Sequence, residues 1–128
     1  MSGSSDARAQ LGRTGERLAE DFLRRQGLKL VARRFNTPVG ELDLVMCDRD
    51  AVVFVEVKTR TDDKLADPKE AVNTVKQRRL IRAARWFLHQ RRWTDRPARF
   101  DVVAITLPKA GVPRIEYVRD AFCPRDAP

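Results

Sequence analysis

The chain has 128 residues, enough for one domain with a substantial core but too few for two well-buried domains. Lysine and arginine outnumber aspartate and glutamate by 26 to 18, and the formal charge of +8 favours a polyanionic partner, nucleic acid before an anionic membrane. No apolar run approaches the ~18 residues of a membrane span. The N-terminal segment also lacks the apolar stretch of a signal peptide, so we expect a cytoplasmic protein without a membrane segment.

The hydrophobic pattern predicts two helices and five strands. In chain order these are a helix over 11–26, strands over 28–35, 40–47 and 51–59, a second helix over 74–90, and strands over 98–107 and 114–118. Apolar residues recur at helical spacing in both helices, and Thr74 and Gln77 have the spacing of a capping box at the start of the second. Polar segments at 1–10 and 123–128 are predicted to be tails, which leaves 11–122 as a single domain.

This order of elements predicts an α/β fold with a mixed sheet flanked by helices. The helix between the third and fourth strands is a natural crossover, because parallel neighbours need a long connection between them.

Charged residues interrupt the strongest strand, AVVFVEVKT, where Glu56 and Lys58 replace apolar side chains. A two-residue hairpin loop at 49–50 would place Asp43 opposite Glu56 and Glu41 opposite Lys58, all on one face of the sheet. In the same register the other face is entirely apolar. Its residues are Leu42, Leu44, Met46, Val53, Val55 and Val57.

Asp43 and Glu56 are therefore expected to have Cβ atoms about 4.5–5.5 Å apart, a distance at which two like charges destabilise the strand pair unless a cation lies between them. Lys58 supplies only one positive charge. Carboxylate oxygens are the ligands of hard divalent ions, so the pattern predicts a Mg²⁺ site, with Mn²⁺ as an alternative. The competing interpretation is an exposed salt bridge of Lys58 with Glu41 or Glu56, which contributes little.

A third carboxylate, Glu16, lies at the edge of the apolar stripe of the first helix and can face the same site. An equally simple interpretation is that Glu16 interacts with the dipole of that helix.

Several segments together resemble a known family. GRTGERLAEDFLRRQG, NTPVGELDLV, VFVEVKTR, KQRRLIRAARWFL and RFDVVAI, spread over residues 12–105, are similar to the YraN-type family of small bacterial proteins. That family resembles the PD-(D/E)xK nuclease superfamily, especially archaeal Holliday-junction resolvases. The resemblance implies a restriction-endonuclease-like αβββαβ core. The residue before Asp43 is Leu42, where the superfamily pattern has proline.

The resemblance assigns catalytic positions residue by residue. Asp43 matches the first acid, Glu56 and Lys58 match the (D/E)xK pair, and Glu16 matches the glutamate of the first helix. Gln77 is similar to a glutamine that some branches place near the site, although its position also suits the capping box.

In a nuclease of this type, Asp43 and Glu56, with the backbone carbonyl of Val57, are expected to hold the ion. Lys58 is expected to position the attacking water or stabilise charge on the phosphate. Glu16 is expected to hold a metal-bound water or a second ion.

The resemblance and the charge together predict a Mg²⁺-dependent endonuclease of branched or damaged DNA, with weak two-fold self-association. The alternative is a non-catalytic nucleic-acid-binding or protein-interaction module on a nuclease-like scaffold. Basic residues of the second helix point away from its apolar stripe and are expected to grip phosphates. They are Lys76, Arg78, Arg79, Arg82 and Arg85.

Overall fold

The computed structural model describes residues 3–61 and 72–123, so residues 62–71 and most of the predicted C-terminal tail lie outside the described residues. The elements are α1 (Gly3–Arg25), β1 (Lys29–Thr37), β2 (Gly40–Asp48), β3 (Ala51–Arg60), α2 (Thr74–Arg91), β4 (Ala98–Thr106) and β5 (Arg114–Phe122). Neither helix in this part of the chain is long and apolar enough to cross a membrane.

The five strands form one sheet in the order β1-β2-β3-β4-β5. All neighbouring pairs are antiparallel except β3 and β4, which are parallel and are separated in sequence by α2. The predicted α/β class, mixed sheet and crossover helix are confirmed, and the order of elements is compatible with a restriction-endonuclease-like core.

Each helix covers a different buried cluster. The α2-side cluster joins residues of α2 to one set of strand side chains, with Phe87 packed edge-to-face on Phe54 and Phe35 at centroid distances of 5.8 and 5.0 Å. The α1-side cluster joins Ala19 and Leu23 of α1 to the alternate strand residues. The sheet is therefore buried on both faces between the two helices.

β2 changes its outward face near the middle of the strand. Leu44 packs in the α1-side cluster, but Leu42 is buried in the α2-side cluster with Val45 and Phe54. The sequence-based prediction that Leu42 and Leu44 share one face is therefore wrong.

The neighbouring strand β1 changes face at the same level. Arg33, which pairs with Leu44, reaches Glu20 of α1, whereas Phe35 packs on the α2-side cluster. Arg34 lies between them in the left-handed conformation, with a φ of 46°. Such a residue breaks the two-residue alternation of a strand, so a strict alternation predicted from sequence fails here.

Two helix starts differ from the sequence prediction. α1 begins at Gly3 instead of residue 11, because an apolar stripe marks only the turns that pack on the sheet. The N-cap of α2 is Asn73, whose Oδ1 accepts a hydrogen bond from the Lys76 N–H at 2.9 Å. The predicted capping box of Thr74 and Gln77 is thus wrong, since Asn73 already provides the cap.

α1 approaches β3 most closely at Gly15. A Cβ atom added to Gly15 would lie 1.9 Å from Thr59 Oγ1, so only glycine fits this crossing. The next residue, Glu16, lines the same cavity as Lys58 and Thr59. The absence of a side chain at Gly15 thus sets the position of Glu16 beside β3.

Candidate active site

The β2–β3 hairpin brings two acids together. Its residues pair in the predicted register around the turn at 49–50, and the pairs end at Leu44 opposite Val55. One residue further along each strand, the carboxyl groups of Asp43 and Glu56 are in hydrogen-bonding contact. Asp43 is half-buried and Glu56 is buried.

The Asp43 side chain is held by the backbone of β3. Continued in the same register, Val57 would face Leu42, but the Val57 N–H donates to Asp43 Oδ2 at 2.9 Å. The N–H and C=O groups of one strand residue point to the same side, so the Val57 carbonyl is directed towards the same strand as its N–H. The carboxylate and this carbonyl therefore lie on one border of the site.

Burial and the charge of Glu56 raise the pKa of Asp43 from an ordinary value of 3.8 to about 8, although the hydrogen bond from Val57 opposes the rise. The negative charge of Glu16 raises the pKa of Asp43 further. Asp43 therefore retains its proton near neutral pH unless a cation shares its oxygens. The proton relieves the repulsion between the two acids, and a bound cation would take its place.

The two lysines of the site have different surroundings. Lys76 of α2 forms an ion pair with Glu56, with 2.5 Å between Nζ and Oε1. Lys58 is exposed and lines the cavity, and its ammonium makes no ion pair with the described residues. The salt bridge of Lys58 with Glu41 or Glu56, which was the competing interpretation, is not found among these residues, and Glu56 is paired with Lys76 instead.

Glu16 is present at the cavity but is bound to an arginine that sequence reasoning missed. Arg34 Nε lies 2.7 Å from Glu16 Oε1, and its positive charge also acts on Glu41 and Asp43. Its left-handed backbone directs it away from a regular strand position.

These residues surround one cavity of about 330 Å³ between the start of α2 and the N-terminal half of α1. Its lining residues are Leu11, Gly12, Glu16, Asp43, Glu56, Val57, Lys58, Thr59 and Lys76. No group of three or more His, Cys, Asp or Glu side chains within the described ranges is arranged to hold a metal ion. The Asp43 and Glu56 pair nevertheless fits Mg²⁺, which is usually held by one or two carboxylates and keeps several waters.

Gln77 is not part of this cavity lining. Its side-chain Nε2 donates to the Val72 carbonyl at 3.1 Å, and its N–H donates to the Asn73 carbonyl at 2.8 Å. In this conformation Gln77 stabilises the first turn of α2, and its predicted catalytic role stays a prediction.

The basic residues of α2 are divided between two places. Lys76 lines the active-site cavity, whereas Arg78, Arg79 and Arg82 line a separate cleft of about 340 Å³ together with exposed Val39 and Val75. Among the described residues that line this cleft, the charged side chains are those of the three arginines. Arg85 is exposed outside it.

The chain is similar in sequence to known proteins over most of its length. A sequence model described as "Uncharacterised protein family UPF0102" matches residues 15–105, which contain the acids and lysines of the cavity. A UPF0102 protein of Syntrophotalea carbinolica is 49% identical over 77% of this chain and 80% of its own length. UPF0102 proteins of Geotalea daltonii and Pseudomonas syringae pv. syringae are each 42% identical, over 88% and 90% of this chain and 88% and 94% of their own lengths.

Proposed function

The chain belongs to the UPF0102 family, and from this membership and the geometry of the cavity we propose that it is a Mg²⁺-dependent endonuclease that hydrolyses phosphodiester bonds of branched or damaged DNA. The choice of branched DNA follows from the resemblance of its motifs to Holliday-junction resolvases. Mn²⁺ is expected to replace Mg²⁺, because both accept oxygen ligands.

One observation carries the proposal: two acids, Asp43 and Glu56, are in contact at a cavity that also contains an exposed lysine, Lys58. A purely structural role does not explain why Asp43 and Glu56 face each other, because facing carboxylates destabilise a strand pair. The two acids and the lysine line one cavity of a strongly basic protein, which favours a site that binds a cation and a phosphate.

Asp43 and Glu56 would hold the ion, with the Val57 carbonyl as a further oxygen ligand. When bound, Mg²⁺ would polarise the scissile phosphate and lower the pKa of a coordinated water. The Val57 N–H orients the Asp43 carboxylate for this task, because it binds one oxygen and leaves the other for the ion.

The basic side chains would act on the phosphates. Lys58 is exposed at the cavity and would stabilise the charge that develops on the phosphate in the transition state. Arg78, Arg79 and Arg82 would bind the backbone of the DNA away from the cleavage point, with affinity that falls steeply as salt increases.

A non-catalytic nucleic-acid-binding module is the second candidate, and the two ion pairs of the site favour it. Glu16 is bound to Arg34 and Glu56 to Lys76, so both acids have a protein cation as partner. Under this alternative the protein would bind DNA in a salt-dependent manner and would neither require nor bind a divalent ion.

Substituting Asp43→Asn tests the metal site. We expect loss of calorimetric Mg²⁺ and Mn²⁺ binding and of cleavage of a panel of linear, flapped and four-way DNAs, because the variant lacks the charge that holds the ion. Asp50→Asn is the matched control, since it removes an exposed carboxylate in the turn of the same hairpin. Cleavage by Asp43→Asn protein equal to that of the native chain, or native protein that binds DNA but never metal, would contradict the proposal.

Substituting Lys58→Ala separates catalysis from metal binding. Metal affinity should stay level or rise, whereas cleavage should fall about 10²–10³-fold, the scale of one lost electrostatic stabiliser. Lys29→Ala is the matched control, because Lys29 is an exposed lysine at the start of β1. This change should leave metal affinity and cleavage unchanged. Undiminished cleavage by Lys58→Ala protein, purified free of contaminating nuclease, would show that Lys58 has no catalytic role.

A further inference from the structure

We propose that Lys76 is a displaceable counter-ion of Glu56, and that a DNA phosphate draws it away so that DNA and the divalent ion bind cooperatively. This inference rests on the proposed function, because it concerns the same cavity. It gives Lys76 two alternative partners, the carboxylate in the free protein and a phosphate in the complex.

The ion pair involves a carboxylate oxygen of Glu56, one of the two acids proposed to bind the metal. Lys76 Nζ lies 2.5 Å from Glu56 Oε1, and Glu56 is one of the two acids in contact at the cavity. A divalent ion bound by both acids would lie close to the ammonium group on Glu56, and the two cations repel each other. Metal binding therefore competes with the Lys76 contact.

The two partners differ in their freedom to move. The Glu56 side chain is 9% exposed and is confined by the sheet, whereas the Lys76 side chain is 39% exposed. The Lys76 backbone is fixed by the Asn73 cap, but its four-carbon side chain has several rotatable bonds. Release of the pair thus requires only movement of the lysine into solvent.

Lys76 also lies on the helix that carries the basic cleft. Arg78, Arg79 and Arg82 follow it on α2 and line the cleft. A DNA backbone that runs from this cleft to Asp43 and Glu56 passes the start of α2. There the Lys76 ammonium exchanges a carboxylate for a phosphate and retains an anionic partner.

The consequence is a reciprocal coupling of two ligands. Both the metal and the phosphate favour the state in which Lys76 has left Glu56, so either ligand raises the affinity of the other by the same factor. Without DNA, the ion pair lowers metal affinity. Lys58 does not provide this coupling, since its ammonium is paired with neither acid in the described structure.

The test measures Mn²⁺ affinity by calorimetry for the native chain and for Lys76→Ala, with and without a synthetic four-way DNA junction whose integrity is checked on a denaturing gel. In the absence of DNA, the variant should bind Mn²⁺ about three- to fivefold more tightly, the factor expected for a partly exposed ion pair. The increase in Mn²⁺ affinity caused by DNA should be smaller in the variant by the same factor. Lys76→Arg retains the cation and should behave as the native chain, and Lys29→Ala controls for the change in net charge.

The outcomes distinguish this inference from the proposed function. Equal Mn²⁺ affinity and equal coupling in native and Lys76→Ala protein would overturn the role of Lys76 and leave the metal site intact. Absence of Mn²⁺ binding in both proteins, with and without DNA, would overturn the proposed function and the inference together. The exchange of partners would be supported if Lys76→Ala protein binds Mn²⁺ more tightly than the native chain and DNA raises the Mn²⁺ affinity of the native chain only.

Discussion

Asp101 and Asp43 both lie in strands of the sheet, but their surroundings differ. Hydrogen-bond donors surround Asp101, whereas Asp43 faces the carboxyl group of Glu56. Asp101 is 0% exposed and accepts hydrogen bonds from Tyr117 Oη at 2.5 Å, from the Asp120 N–H at 2.9 Å and from Arg99 Nε at 3.1 Å. Burial raises the pKa of Tyr117 to about 12, helped by the hydrogen bond to Asp101, so this donor keeps its proton.

Asp43 receives much less from the protein. Among the described residues its one backbone donor is the Val57 N–H. Its neighbours Glu56 and Glu16 are acids, and the positive charge of Arg34 that acts on it is shared with Glu16 and Glu41. The protein therefore completes the environment of Asp101 but leaves that of Asp43 dependent on a proton or on a cation from outside. Burial of an acid is thus a weak indicator of function, and the sign of the charges around it is a better one.

Removing Asp101 should have the largest effect on folding. Asp101→Ala leaves the half-buried Arg99 without one carboxylate and the Tyr117 hydroxyl without its acceptor, so we expect the free energy of unfolding to fall by about 3–5 kcal/mol. Urea denaturation measures this. Asp48→Ala, which removes the more exposed partner of the same arginine, should cost only about 1 kcal/mol. An equal loss in Asp43→Asn protein would break the comparison between the two aspartates.

The pH dependence of stability should identify Asp43 as the acid that binds a proton when the protein folds. Its folded pKa of about 8 exceeds the ordinary value of 3.8, so the folded state binds the proton more tightly and stability falls as pH rises between these values. We expect a loss of about 2 kcal/mol, after allowance for partial exposure, when urea denaturation is carried out with chelator at pH 5 and at pH 8.5. Asp43→Asn should lack this loss, and parallel pH curves for the two proteins would contradict the assignment.

The smallest predicted effect concerns the helix that frames the Asp43 cavity. Gly15→Ala forces α1 away from Thr59, and we expect a loss of about 1–2 kcal/mol by thermal or urea unfolding. Gly12→Ala is the matched control, because an added Cβ there meets no atom within 4 Å and the change favours the helix by up to about 1 kcal/mol. If both substitutions stabilise the protein equally, the close approach of α1 does not shape this side of the molecule.

Local patterns were sufficient to predict the sheet and its hairpin. Alternation and turn length place Asp43 opposite Glu56, one residue beyond the last paired residues of the hairpin, because a two-residue turn leaves few possible registers. The face of Leu42 was predicted incorrectly because the left-handed conformation of Arg34, in the neighbouring strand, is not visible in an alternation pattern.

Pairings between distant elements were not predictable in the same way. The partners of Glu16 and Glu56 are Arg34 and Lys76, and each pair depends on how a helix crosses the sheet. The network of Asp101 was missed for the same reason, since its donors come from β5 as well as from its own strand. Many lysines and arginines in the sequence could meet each acid, and only packing selects one.

The two outer strands have irregular backbones, and this affects how copies of the protein can associate. The pairing of β1 shifts between Leu30 and Ala32, and Arg34 is left-handed; β5 contains left-handed Asp120 and a shift opposite 100–102. A strand from another chain could not form a continuous ladder of hydrogen bonds along either border, so the sheet resists growing into polymers. The two-fold dimer expected from the sequence would consequently have to form through helices or loops, and its formation should not extend the sheet.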